Sequence, residues 1–150
     1  MDRAQLIESL AQIKNELIKV EKTTDSRFYL VCESQNACKI GNFIFETLGC
    51  RFVIATAIDS EQYYEVLYHF SHDQTGTVLT VKALIRDREN PSVESLGQFI
   101  PGVLWIEREM HDLMGIEFRN HPDMRRLILA DDWPEGVYPL RKKPKNEKDS

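Results

Sequence analysis

Side chains that could do chemistry are concentrated between Trp105 and Lys142, in the segment WIEREMHDLMGIEFRNHPDMRRLILADDWPEGVYPLRK. Imidazole and carboxylate groups, here His111, Asp112, His121 and Asp123, are the usual metal ligands and general acids or bases. Their spacing matches no metal template such as H-E-x-x-H, and the segment contains no cysteine. We therefore expect no metal site, and a catalytic site built from the two histidines and Asp112 is the enzymatic alternative.

Charged residues recur at helical spacing in the first part of this segment. Glu107 and His111 are four residues apart, as are Arg108 and Asp112, and Glu109 lies beside them. Pairs at this spacing meet on one helix face and contribute only a few tenths of a kcal/mol each, roughly, so a solvated face is one interpretation. A face that docks against another protein is the other.

Arginines and aromatic residues cluster in the second part of the segment. Arg125, Arg126 and Arg141 stand near Trp133 and Tyr138 in a stretch rich in proline and glycine. A solvated tail is the simplest interpretation. Arginine and aromatic anchors, however, carry most of the binding energy in protein interfaces, and we favour an interface.

Cofactor motifs are missing from the rest of the chain. Cys32, Cys38 and Cys50 are too few for an iron–sulfur cluster, lack C-x-x-C spacing, and are expected to be buried thiols rather than a site with His69 and His72. An odd number of cysteines fits a reducing, cytoplasmic setting. No phosphate-binding glycine loop and no G-x-S-x-G motif occurs.

The composition narrows the classes of protein to which the chain can belong. With 150 residues, 42% of them hydrophobic and 29% charged, the chain suits one globular domain. A net charge of −5 argues against nucleic-acid binding. We find no secretory signal and no apolar run of 18 residues, so the sequence predicts no direct membrane insertion.

Hydrophobic periodicity predicts an α+β fold. The expected helices cover residues 2–20, 34–48, 93–99 and 102–114, and the expected strands cover 28–32, 51–58, 63–72 and 77–86. Alternation places Tyr64, Val66, Tyr68 and Phe70 on one face of the third strand, and no regular structure is expected from Ile116 onward. The turn at 73–76 makes a hairpin of the last two strands, and Gly115 is expected to end the last helix. We predict a mainly antiparallel sheet with helices packed on one face, followed by an extended C-terminal arm. The predicted core spans residues 1–129, the docking arm spans 130–150, and residues 142–150 are expected to be flexible.

The segment as a whole resembles the signature region of the thirty-kilodalton subunit family of respiratory complex I. This family, also known as the C subunit, belongs to the peripheral arm and recurs in membrane-bound energy-converting NiFe hydrogenases. The residues that match are Trp105, Glu107-Arg108-Glu109, Asp112, Gly115-Ile116, Phe118, His121-Pro122-Asp123, Arg125-Arg126, Asp132-Trp133 and Pro139-Leu140-Arg141-Lys142.

The resemblance implies a cofactor-free scaffold in an oxidoreductase complex that couples electron transfer to ion translocation. Its expected partners are the large subunit, which holds the NiFe centre or helps form the quinone site, and a small iron–sulfur subunit. Through these partners the chain would lie on the cytoplasmic side of the cell membrane, with the membrane arm reached indirectly. The expected partner interface consists of Trp105, Glu107, Arg108, Glu109, Asp112, His121, Asp123, Arg125, Arg126, Trp133, Tyr138 and Arg141.

Details of the resemblance favour the hydrogenase branch. The segment DDWPEGVYPLRK and the short length of the chain resemble the hydrogenase branch more than complex I. Met114 stands where complex I proteins commonly have an aromatic residue, and Lys143 where an acidic one is typical. The corresponding C subunit of an NADH:quinone oxidoreductase is the alternative, and a free-standing protein-binding adaptor is a further one.

Overall fold

The computed structural model describes residues 1–143. Within this range the α-helices are α1 (Arg3–Ser9), α2 (Ser34–Asn42) and α3 (Leu104–Met114). The strands are β1 (Lys19–Thr24), β2 (Arg27–Glu33), β3 (Arg51–Asp59), β4 (Tyr64–His72), β5 (Thr77–Ile85), β6 (Ser92–Glu94) and β7 (Glu117–Arg119). Short helical segments of 3-10 or π type cover Leu10–Glu16, Phe43–Thr47, Leu96–Gln98 and Pro101–Val103.

The main sheet has five strands in the order β1-β2-β5-β4-β3. Every neighbouring pair is antiparallel except β2 with β5, which run parallel. It follows that β2, β5 and β3 share one direction, so α2 carries the chain across the sheet from β2 to β3, and the β4–β5 hairpin then fills the gap. A parallel connection of this kind needs a crossover, which is why a helix is placed there.

Alternate residues of the strands build the core on one face of this sheet. Tyr64, Val66, Tyr68 and Phe70 of β4 share one face, as the alternation predicted, and they lie opposite Ile85, Ala83, Val81 and Leu79 of β5. The side chains of all four are buried, and α2 and α3 pack over the same face. The α+β class, the mainly antiparallel sheet and the placement of the helices on one face are confirmed.

The helix predicted over residues 2–20 is too long. α1 and the 3-10 turn that follows it end by Glu16, and the last part of the predicted helix is strand β1. Val20, Thr23 and Thr24 are β-branched residues that suit an edge strand. Pairing with β2 therefore overrides the helical periodicity of the preceding residues.

The helix predicted over residues 93–99 is also wrong. Val93 belongs to β6 and pairs in parallel with Phe118 of β7, a strand in the region where only irregular structure was expected. The Ser95 hydroxyl accepts a hydrogen bond from the Gly97 N–H and begins a short 3-10 turn instead. Serine in this position stabilises a turn rather than a continuing helix.

The arm beyond residue 130 has no regular structure up to residue 143, as predicted, but it is bound to the end of α3. The Arg141 guanidinium donates from Nε to the Met114 carbonyl at 2.6 Å and from Nη2 to the Gly115 carbonyl at 3.2 Å. The Leu140 N–H donates to the Leu113 carbonyl at 3.0 Å. These carbonyls have no partners within the helix, so the arm caps α3. Residues 144–150, part of the predicted flexible end, lie outside the described range.

The arm packs closely against Gly115 at the end of α3, and a substitution at this glycine can measure how tight the contact is. It has φ +69°, and an added Cβ would lie 2.4 Å from Cε2 of Tyr138. Gly49 has a nearly identical φ of +66° with nothing within 4 Å of that position. We expect Gly49→Ala to cost about 1–2 kcal/mol of unfolding free energy, and Gly115→Ala to cost about 1–3 kcal/mol more. Chemical denaturation of both variants measures the difference, and equal losses would show that the arm does not press on this residue.

Candidate partner interface

A buried carboxylate lies at the centre of the signature helix. Glu107 has 0% of its surface exposed. Its Oε1 accepts hydrogen bonds from the Tyr68 hydroxyl at 3.0 Å and from the Leu96 N–H at 2.9 Å, and its Oε2 accepts one from the Ser95 hydroxyl. One side chain of α3 therefore holds β4 and the Ser95–Leu96 turn together.

Burial dominates the pKa of this carboxylate, and one imidazole lies close to it. Burial raises the pKa of Glu107, and this outweighs the lowering by the hydrogen bonds it accepts. His121 lies 4.0 Å away with its side chain only 1% exposed. Its Nε2–H donates to the Leu104 carbonyl at 3.0 Å while its Nδ1 accepts from the Asp123 N–H at 3.0 Å. The imidazole ring therefore joins the start of α3 to the segment that follows β7.

Asp112, one helical turn further along α3, binds the backbone of the segment that leads to the arm. Its Oδ2 accepts hydrogen bonds from the N–H groups of Leu127, Ile128 and Leu129 at 2.9, 2.8 and 3.2 Å. Burial opposes ionisation of this side chain, but the three donors outweigh it and lower the pKa of Asp112. A charged carboxylate thus accepts hydrogen bonds from three consecutive backbone N–H groups that are not part of a strand or helix.

Two arginines satisfy the carbonyl groups of the same segment. Arg108 donates to the carbonyls of Arg125 and Arg126 at 2.8 and 2.9 Å. Arg126 in turn donates from Nη1 to the carbonyls of Ala130 and Trp133, both at 2.7 Å. Guanidinium groups suit this task because they present several donors in one plane. The loop keeps its shape without regular structure.

A third buried acid, Asp59, ties the arm to the sheet. Asp59, at the end of β3, accepts two hydrogen bonds from Arg88, at 2.8 and 3.3 Å, one from the Glu61 N–H and one from the Lys142 N–H, the last two at 2.9 Å. Burial raises its pKa, but these donors outweigh that effect and hold the pKa of Asp59 at about 2. The arm is therefore fastened to β3 as well as to α3.

The helical charge pairs predicted from spacing do not form. Among the described residues, Glu107 is not bonded to His111, nor Arg108 to Asp112. His111 instead donates from Nδ1 to the Ile116 carbonyl at 2.8 Å. The spacing placed these side chains on one helix face, but each reaches a different partner because α3 is packed on several sides.

The predicted interface residues divide by exposure. Glu107 and Asp112, at 0% and 3% exposure, lie inside the chain, so neither presents its carboxylate to a partner. Trp105, with 72% of its surface exposed, lies fully on the outside. Arg125 and Trp133 are also exposed, and Arg108, Glu109, His121, Asp123, Arg126, Tyr138 and Arg141 are intermediate. The prediction that the exposed residues contact a partner stays a prediction.

The residues considered as metal ligands each bind a different group of the chain. Asp112 and His121 are each engaged with backbone groups, and Asp123 pairs with Arg125 at 2.7 Å. Within residues 1–143 no group of three or more His, Cys, Asp or Glu side chains is placed to hold a metal ion. His111, Asp112 and His121 are not joined by hydrogen bonds into a catalytic set either.

The cysteines are buried thiols, as predicted. Burial raises the pKa of Cys32 to about 12 and those of Cys38 and Cys50 to about 11. A thiol at these values is uncharged and unreactive near neutral pH. His69 and His72, the imidazoles considered with them, are hydrogen-bonded to Thr80 and Thr75.

Three residues of this network were not singled out from the sequence as polar groups of a site. Tyr68 was predicted only as an apolar core residue of its strand, and Ser95 and Asp59 were not considered. Their partners lie 12 to 83 residues away in the chain. A serine or aspartate beside a strand end is an ordinary turn signal, so only the packed structure reveals the contact.

The fold and the site together define a class: an α+β domain whose signature helix binds its own C-terminal arm and exposes one tryptophan. None of the helices within residues 1–143 is long and apolar enough to cross a membrane. Residues 30–150 match the family described as the respiratory-chain NADH dehydrogenase, 30 Kd subunit. The chain belongs to this family.

Individual relatives agree with this assignment. The chain is 34% identical to the C subunit of the NADH-quinone oxidoreductase of Bartonella tribocorum over 146 residues, which cover 91% of this chain and 70% of that protein. It is 40% identical to formate hydrogenlyase subunit 5 of Escherichia coli strain K12 over 81 residues, 53% of this chain and 14% of that protein. The chain likewise spans only 16% of the length of the C/D subunit of an NADH-quinone oxidoreductase from Bacteroides thetaiotaomicron, to which it is 41% identical over 57% of its own length.

A solved structure has the same fold. It is the structure of the membrane-bound sulfane sulfur reductase, an archaeal respiratory membrane complex. One of its chains superposes with a TM-score of 0.76 at 21% identity, covering 92% of this chain and 82% of that one.

The buried carboxylate predicts an unusual pH dependence. Because the pKa of Glu107 is raised on folding, the native state holds its proton above pH 4.5, where the unfolded chain has lost it. The unfolding free energy therefore falls as pH rises from the unfolded pKa through the folded one. We expect Glu107→Gln, which keeps the acceptor oxygen, to be more favourable relative to wild type at pH 7 than at pH 4.

Denaturant titrations at both pH values measure this difference, with Glu109→Gln on the same helix as the matched control. The control should show a much smaller change between the two pH values, because Glu109 has no buried partners among the described residues. A Gln variant of Glu107 whose relative stability is the same at pH 4 and pH 7 would contradict the interpretation of a raised pKa.

Proposed function

We propose that this chain is a cofactor-free, peripheral-arm subunit of a complex I-like membrane-bound oxidoreductase. Its task is to scaffold the large catalytic subunit during electron transfer coupled to ion translocation. The complex is an energy-converting NiFe hydrogenase, whose redox centres are held by the large subunit and by a small iron–sulfur subunit. The chain lies on the cytoplasmic side of the membrane and reaches the membrane arm only through these partners.

The observation that carries a scaffolding role is the contrast between Trp105 and its neighbours. The charged residues Glu107 and Asp112 of the same helix bond within the chain, whereas Trp105 is 72% exposed. A large aromatic side chain is costly to leave in water and is among the commonest anchors of protein interfaces. Membership of this family supports a multi-subunit complex in which a neighbouring subunit would cover this anchor.

Separate observations favour each of two candidate complexes, a hydrogenase and an NADH:quinone oxidoreductase. The formate hydrogenlyase relative and the wording DDWPEGVYPLRK favour a hydrogenase. The Bartonella relative, which matches 91% of this chain, favours the C subunit of an NADH:quinone oxidoreductase as the second candidate. The two differ in the partner, since a NiFe large subunit requires pairs of cysteine ligands that a quinone-binding subunit does not.

Trp105→Ala tests the scaffolding role. We expect the variant chain to keep its unfolding free energy within about 0.5 kcal/mol, because the substitution is at the surface. Its binding to the complex should weaken by roughly 30-fold or more, the loss of about 2 kcal/mol typical of an interfacial anchor. Assembly is measured by co-purification of a tagged chain expressed from its own locus and by native gel.

Ile18→Ala is the matched control, since Ile18 is 49% exposed beside β1 at the far edge of the sheet. It should assemble normally. Full assembly of the Trp105 variant would contradict the docking role of this residue, and a wild-type chain that co-purifies with no redox subunit would favour the free-standing adaptor. Hydrogen oxidation or quinone reduction by the purified complex separates the two candidate complexes.

A further prediction concerns redox groups. We expect the isolated chain to be colourless and to contain no stoichiometric iron, nickel, zinc or flavin, because its three cysteines are buried and uncharged. Elemental analysis and a visible absorption spectrum measure this directly. A reproducible equivalent of any of these groups per chain would contradict the cofactor-free assignment.

A further inference from the structure

Strand β3 forms one edge of the five-stranded sheet and has no neighbour on its outer side among residues 1–143. It is nine residues long, RFVIATAID, with no charged residue between Arg51 and Asp59. A long apolar edge strand exposes unpaired backbone groups and is a ready template for another strand. Such an edge needs either a protective device or a partner.

The opposite edge of the sheet is protected. Strand β1 carries Lys19, Glu21 and Lys22, with ion pairs from Lys19 to Glu21 at 2.6 Å and from Lys22 to Asp25 at 2.7 Å. Charged side chains of this kind prevent edge-to-edge pairing. The contrast within one sheet indicates that the β3 edge is kept open.

The hairpin geometry shows which β3 amides point outward. The Ser60 N–H donates to the Tyr63 carbonyl at 3.0 Å, which makes these two a hydrogen-bonded pair. Bonded and non-bonded pairs alternate along an antiparallel ladder. Along the register with β4, Ala57 and Ala55 are therefore at non-bonded positions. Their N–H and carbonyl groups point away from β4, towards the open side of the strand.

Both faces beside this edge are apolar. On the core side, Ala55 and Ala57 leave a groove of about 160 Å³, whose other walls are Thr56, Ile106, Glu109, Met110, Leu113, Met114 and Leu140. On the other side, Ile54 and Ile58 are 46% and 42% exposed. An added strand with apolar residues at successive positions would cover the isoleucines with one set of side chains and fill the groove with the other.

The one charged residue that lines this groove, within the described part of the chain, is Glu109. Among residues 1–143 it is joined to no cation, although most acids near α3 are paired or hydrogen-bonded. Trp105 lies one helical turn earlier, four residues away, and therefore on the same side of α3. A basic side chain entering the groove would complete the pairing of Glu109.

We propose that the β3 edge binds an extended segment of the partner subunit as a sixth strand, apolar along its length and carrying a lysine or arginine opposite Glu109. This inference rests on the proposed function, because the strand must come from a neighbour in the complex. A second copy of β3 fits less well, since it has no cation between Arg51 and Asp59 to meet Glu109. The sequence at 144–150, PKNEKDS, has no apolar residues apart from Pro144 to supply the strand.

Hydrogen exchange of the purified complex, compared with the isolated chain, tests this proposal. We expect the β3 peptide containing Ala55 and Ala57 to exchange at least about tenfold more slowly in the complex, because its outward amides become hydrogen-bonded. The β1 peptide, at the protected edge, should exchange at the same rate in both samples and serves as the internal control. Unchanged exchange of β3 in an assembled complex would overturn the sixth-strand proposal while leaving the proposed function intact.

Substitutions at Glu109 test the charge requirement. Glu109→Lys should weaken assembly at least about tenfold by placing like charges together, and Glu109→Gln should weaken it less. Neither variant should change the stability of the isolated chain measurably. Full assembly of the lysine variant overturns the proposal.

Two other outcomes are distinguishable. Failure of the wild-type chain to join any complex overturns the proposed function and this inference with it. Concentration-dependent protection of β3 in the isolated chain, together with a dimeric mass by light scattering, identifies a second copy as the occupant and overturns the partner strand.

Discussion

The position of α3 depends on one buried carboxylate. Burying the polar carboxyl group of Glu107 is costly, and the cost is offset only where donors meet it in good geometry. Tyr68, Ser95 and the Leu96 amide provide those donors from two separate parts of the chain. Any shift of the helix would leave a polar group buried without a partner, so the requirement for satisfied hydrogen bonds selects one helix orientation. That orientation in turn decides which residues of α3 face the arm and which face outward.

The arm and the segment that leads to it are irregular backbone held by side chains. Backbone groups of residues 125–129 bind Arg108 and Asp112, and Arg141 of the arm binds the carbonyl groups at the end of α3. Backbone polar groups need partners wherever water is excluded, so a loop without regular structure must recruit them from side chains. This accounts for the density of charged residues in the signature region. Many of these charged side chains hold the irregular backbone in place.

Sequence periodicity predicted the parts of the fold in which local pattern and burial agree. The alternation at Tyr64, Val66 and Tyr68 identified the core face of β4 because an antiparallel sheet covered on one side requires it. The pattern failed at β1, where pairing with a distant strand overrides local helical spacing. The site was predicted less well than the fold. Residue types at 105–142 indicated the region that carries the hydrogen-bond network, but spacing alone could not show that Glu107 and Asp112 point inward, since their partners are far away in sequence.

The hydrogen bond from the Lys142 amide to Asp59 joins residues 83 positions apart. During synthesis the chain leaves the ribosome from its N-terminus, so Asp59 and its partner Arg88 emerge long before this amide does. The sheet and helix can pack early, yet the clasp closes only when almost all of the first 143 residues are available. A chain truncated before Lys142 would lack this contact between its arm and β3. The last contact of the arm with the sheet therefore forms only when synthesis has passed this residue.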